Sequence, residues 1–121
     1  MRSLIMLMVV AALAGCAGPT TLYKWGAYDQ ALYAGYKDQT KMEELRLKLE
    51  AHIGEMEKVN QKVAPGLYAE LGTLYMQGGS SERAITMYSR ERDAWPESKG
   101  LMTAMIQNLE RRNQKQAEVA K

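Results

Sequence analysis

Few side chains in this sequence are suited to covalent or acid–base chemistry, and they are scattered along it. There is one cysteine, Cys16, and one histidine, His52. An imidazole becomes a general base only beside a group to deprotonate and a partner that orients it. His52 is instead one step from Ile53, at the edge of an apolar helical face, and reads as a partly exposed packing residue. Ser80, Ser81, Ser89 and Ser98 fall where helix caps and surface positions account for them. Glu43 and Glu44 are adjacent on a solvated helix face, with no cleft implied. One histidine with scattered carboxylates does not make a zinc site. The expectation is a protein that is not an enzyme and has no metal and no cofactor.

Cys16 has a different setting. The chain opens MRSLIMLMVVAALAGCAG, with a positive charge at Arg2, an apolar run from Leu4 to Leu13, and small residues up to the cysteine. A run of about 10 residues is too short to span a bilayer as a helix but fits the core of an export signal. Leu13-Ala14-Gly15-Cys16 looks like a bacterial lipobox. There the thiol is alkylated with diacylglycerol, and a signal peptidase cleaves before the cysteine. A sole cysteine can form no internal disulfide, and an unpaired thiol in an exported protein calls for explanation. An ordinary signal peptide with an incidental cysteine is the alternative. Each buried acyl methylene contributes about 0.8 kcal/mol, so two or three chains hold a protein firmly. Ala17 stands where aspartate is associated with inner-membrane retention in Gram-negative lipoproteins, which favours the outer membrane. The expected organisation is a lipoprotein signal peptide over 1–15, lipidated cysteine and linker over 16–21, a helical domain over 22–115 and a frayed tail over 116–121.

About 105 residues would remain after cleavage, enough for one compact core. Their formal charge is about +1, which implies no nucleic-acid partner. Phenylalanine is absent, and tyrosine, tryptophan and methionine supply the large apolar surface. The apolar spacing predicts an all-α fold of about five helices. The first covers 26–37 through Tyr28, Ala31, Leu32, Gly35 and Tyr36. The second covers 40–63 through Met42, Leu45, Leu49, Ile53, Met56 and Val63, and Pro65 is expected to stop it. The third covers 66–77, and Gly78-Gly79 ends it. The fourth, capped by Ser80 or Ser81, runs to 94. Trp95-Pro96 breaks it, and Ser98 is expected to cap a fifth, lined by Leu101, Met102, Met105, Ile106 and Leu109.

PGLYAELGTLYMQGG, residues 65–79, could be read as a ligand-cradling glycine loop, but it lacks the lysine and strand context of a phosphate site. Tyr68, Leu71, Gly72, Tyr75, Ala84, Tyr88 and Pro96 instead match the spacing of the tetratricopeptide pattern of antiparallel helical hairpins. Gly72 and Ala84 are small enough for two helices to approach, and the tyrosines fill the volume beside them. Glu91 departs from the pattern, standing where a third small residue is usual. Burying it unpaired would be costly, so it is expected to cap or pair locally, toward the start of the fifth helix, or else to serve as a polar latch or partner contact.

LYKWGAYDQALY (22–33), PGLYAELGTLYMQGG (65–79) and ERDAWPES (91–98) resemble a bacterial lipoprotein family, domain of unknown function 4810. The resemblance implies an outer-membrane lipoprotein, usually encoded beside a curli-secretion-channel-like (CsgG-like) lipoprotein and a second small lipoprotein, and it implies no catalytic or binding residues. The leading expectation is a non-enzymatic scaffold facing the periplasm, lipid-anchored to the membrane, with such lipoproteins as partners. The alternative is a peptidoglycan- or glycan-binding lipoprotein using exposed rings. Helical spacing favours core packing for Trp25, Tyr28 and Leu32 and leaves Tyr33 as the exposed candidate. The basic tail, Arg111, Arg112 and Lys115, reads as a solvated helix end, with lipid headgroups as a minor alternative.

Overall fold

A computed structural model describes residues 21–120. The expected signal segment, Cys16, most of the expected linker and Lys121 lie outside the described residues. Five α-helices occur among those described, with no strand: α1 Tyr28–Lys37, α2 Met42–Lys58, α3 Leu67–Gln77, α4 Ser81–Ala94 and α5 Lys99–Val119. Short 3-10 turns, Gln39–Lys41 and Pro96–Ser98, precede α2 and α5. The fold is all-α.

The helices pack in chain order, each on its neighbours, and the α3–α4 contact is the most extensive. Pairings across α2 and α3 join Glu57 to Tyr68 and Glu50 to Tyr75. Rising numbers on one helix meet falling numbers on the other, so the two run antiparallel. Contacts of Gly66 with Glu91 and of Thr73 with Tyr88 give α3 and α4 the same relation. One core lies among α1, α2 and α3, with Leu45, Leu49, Ile53, Met56, Leu67, Leu71 and Leu74 buried. A second joins α4 to α5 through Ala84, Tyr88, Met102, Ile106 and Leu109.

Helix ends depart from the expected ones in several places. α2 stops at Lys58 rather than continuing to Val63. Asn60 takes a left-handed backbone (φ 53°), its N–H bonds Glu57 O at 3.1 Å, and the N–H of Gln61 bonds Met56 O at 2.8 Å. These bonds satisfy carbonyls the helix would leave open, so Asn60 ends α2 well before Pro65. Val63 and Ala64 are then buried on the connection, not on a helix. Gly79 (φ 80°) closes α3 by the same geometry, with Ser80 N–H on Tyr75 O at 2.8 Å. Ser80 precedes α4 without a side-chain cap. Nor does Ser98 cap α5; its hydroxyl turns to Glu91. Leu101 is exposed, while Met102, Ile106 and Leu109 face α4. The helix also persists through Val119, beyond the point where the apolar period is lost.

The N-terminal strap, residues 21–27, is fixed to the helices at two points. His52 Nε2 donates to Lys24 O at 2.9 Å, and the Tyr23 ring meets Trp95 edge to face at 5.3 Å and 88°. Gly26 (φ 62°) turns the chain into α1 at Tyr28. Trp25 therefore precedes the helix and is 36% exposed rather than packed in the core, while Tyr28 and Leu32 are half-buried against it.

Candidate docking site

The helical hairpin that carries the repeat-like residues is built by close approach. A Cβ on Gly72 would stand 2.8 Å from Tyr88 Cε1 and 3.2 Å from Ala84 O. Tyr88 is fully buried, its hydroxyl 3.1 Å from Thr73 Oγ1, and burial raises its pKa. Ala84 is buried in the same cluster, Leu71 is buried in the core of α1, α2 and α3, and Pro96 is exposed at the start of the turn after α4.

Tyr68 and Tyr75 look the other way, toward α2. Tyr68 donates to Glu57 Oε1 at 2.7 Å, and Arg90 donates to the same oxygen at 2.6 Å. Burial first, then the Glu57 hydrogen bond, pushes the Tyr68 hydroxyl up to about 12. Tyr75 donates to Glu50, which also pairs with Arg46, and the Arg83 guanidinium lies 5.1 Å from the Tyr75 ring centre. Glu50 and Glu57, Tyr75 and Tyr68, Arg83 and Arg90 are each separated by seven residues, two helical turns. Two Glu–Tyr bonds thus tie α2 to α3; α4 joins the first through the Arg90–Glu57 bond and the second only through Arg83 over the Tyr75 ring, Glu50 being held by Arg46. The packing role of these tyrosines was legible in the sequence; their acidic and basic partners were not. The shared seven-residue interval on three helices was the available signal.

Glu91, a candidate partner contact from sequence, is only 1% exposed and cannot meet a partner on this surface. Its Oε1 accepts from Gly66 N–H at 2.8 Å and from Ser98 Oγ at 3.2 Å. It ties the N-terminus of α3, where the helix dipole favours a negative charge, to the N-terminus of α5. Glu91 Oε2 and Trp95 Nε1 are buried without a protein partner. The other candidate contact, Tyr33, is 63% exposed on α1, with Lys37 Nζ 4.9 Å from its ring centre. Tyr36 is exposed one turn further on.

A groove of about 750 Å³ lies beside this end of α1. Leu32, Gly35 and Tyr36 of α1, Met42 of α2, and Glu70 and Thr73 of α3 are among its walls. α1 and α2 approach closely under it, since a Cβ at Gly35 would stand 2.8 Å from Met42 Sδ. Glu70 is half-buried, and burial raises its carboxyl pKa. Glu70 also helps burial push the nearby Tyr28 hydroxyl up to about 12. Among the described residues its carboxylate makes no hydrogen bond and no ion pair. Glu43 and Arg46 also line the groove and pair with one another. The groove has mixed walls, with Leu32, Met42 and Leu74 beside Gln39, Thr73 and Gln77 and one unpaired acid, Glu70, inside it; Glu70 was not legible in the sequence because a single glutamate on a helix resembles any solvated position.

Among the described residues, no group of three or more His, Cys, Asp or Glu side chains could hold a metal ion. No described helix is long and apolar enough to cross a membrane. Together these features define a small all-helical domain of serially packed antiparallel helices with a grooved end. The chain belongs to the family described as domain of unknown function DUF4810, whose model matches residues 22–105. Searches of curated proteins and of solved structures found no match.

Proposed function

We propose that the protein is a non-enzymatic outer-membrane lipoprotein, anchored through Cys16 and facing the periplasm, that acts as an interaction scaffold for other envelope lipoproteins. The α3–α4 pair is read as a tetratricopeptide-like hairpin in this scheme. The single observation that carries the reading is the groove between α1 and α3, where Glu70 is half-buried and makes no ion pair among the described residues, the groove's Arg46 being paired with Glu43 and Glu50. Desolvating a carboxylate is unfavourable unless a partner compensates. A basic side chain flanked by apolar residues, offered by a docked protein, would compensate it and seat against Leu32, Tyr36 and Met42. The partner class follows the family resemblance, a CsgG-like lipoprotein and a second small lipoprotein. Tagged protein purified from crosslinked envelopes should carry one of them above a mock control, and recovery of neither contradicts the reading.

A second reading is favoured by the exposure of Trp25 and Tyr33, whose rings could stack on sugars of peptidoglycan or another glycan. Retention on purified sacculi that is lost when both rings are replaced by alanine supports it; retention unchanged by those substitutions removes it.

A further inference from the structure

The strap before α1 presents its side chains in an unusual way. Its backbone is pinned by His52 at Lys24 O and by the Tyr23–Trp95 contact. Leu22 is nevertheless 86% exposed, and Trp25 and Lys24 also face outward. Single exposed apolar residues are ordinary on protein surfaces. Here an exposed leucine and lysine adjoin an indole that lies along α2 with about a third of its surface open, at the point where the described chain joins the segment containing Cys16. The six residues from Ala17 to Leu22 reach about 20 Å at full extension, so an anchored cysteine keeps the strap close to the membrane surface. Tryptophan is the residue enriched where bilayer meets water, and lysine gains there from anionic headgroups.

We propose that the strap docks on the bilayer that holds the anchor, with Leu22 and Trp25 in the interfacial layer and Lys24 at the headgroups. The inference rests on the lipid-anchor reading above. Asp29 and Glu55 line the hollow beside Trp25 together with His52, so the contact is apolar and local rather than a broad basic patch. Because the strap is fixed to α2 and to Trp95 at the end of α4, docking it would set the orientation of the whole helical stack. Tyr33 and Tyr36 would then be presented at a defined angle to the membrane instead of on a freely swivelling tether.

The two tryptophans make the test direct, since Trp95 is buried and Trp25 is not. The full lipidated chain is reconstituted in phosphatidylethanolamine–phosphatidylglycerol vesicles, some of whose acyl chains are brominated near the headgroup. Expected is a loss of tryptophan emission in the brominated vesicles, abolished by Trp25→Phe, while flotation with the vesicles and the thermal melt are unchanged by that substitution. Protein that floats with the vesicles but shows no quenching, or quenching that survives Trp25→Phe, overturns strap docking and leaves the anchor standing. Protein that does not float, with no diacylglycerol mass on Cys16, overturns the anchor and the strap proposal together. An emission shift on sacculi with none in vesicles assigns Trp25 to a glycan and also overturns it.

Discussion

Two glutamates show how depth, which sequence spacing does not report, decides what a carboxylate does. Glu91 was visible in the sequence as a departure from the repeat pattern, and its link toward α5 was readable. That it is wholly enclosed was not, because enclosure comes from Gly66 and Ser98 arriving from distant elements. Glu91→Ala removes the enclosed carboxylate that the Gly66 amide and the Ser98 hydroxyl bond, and loss of these bonds to a charged acceptor should destabilise the domain by about 1–3 kcal/mol in urea unfolding. Glu91→Gln keeps an acceptor oxygen and should lose less. Glu70 behaves oppositely. Burial raises its pKa in the folded chain, so the folded state binds that proton more tightly than the unfolded state does. The associated stability is fully present below the unfolded value, about 4.5, and is lost as the pH rises through the higher folded value. Glu70→Gln should therefore raise the melting temperature near neutral pH, with the gain vanishing as the pH is lowered below 4.5. A gain that persists in acid would assign the effect to something other than the charge.

At the scale of helices, number and order were legible because Leu45, Leu49, Ile53 and Met56 keep one clear period and Gly78-Gly79 and Trp95-Pro96 punctuate the chain. The end of α2 was not, since an asparagine in KVNQK carries no local mark that it will adopt a left-handed backbone. That conformation costs a β-branched residue about 1–2 kcal/mol. Asn60→Val should destabilise by that amount, and Asn60→Gly should leave the melt near wild type; equal melts for all three would mean that Asn60 does not close the helix. The α3–α4 approach gives a second test. Even Gly72→Ala places a Cβ against the Tyr88 ring, itself boxed in by Ala84 and α5, and overpacking of this kind costs about 1–3 kcal/mol. Trp25 was misplaced for a related reason: its spacing from Tyr28 is helical, but Gly26 turns the chain before the helix begins.

For the molecule as a whole, the all-helical fold was legible in the sequence, while the candidate site was almost illegible. The groove joins Leu32 and Tyr36 to Glu70 and Thr73, residues more than thirty positions apart that no local pattern connects. Its proposed role makes stability and docking move in opposite directions on one substitution, since Glu70→Gln relieves the desolvated charge and removes the group a basic partner would need. The most direct measurement places a photo-crosslinking residue at Tyr36, on the groove wall, in cells that express the full chain. Expected is an adduct with the CsgG-like or the second small envelope lipoprotein, strongly reduced by Glu70→Gln although that variant is at least as stable and equally abundant in the membrane. Absence of either adduct, or an adduct of undiminished yield in Glu70→Gln, would contradict it.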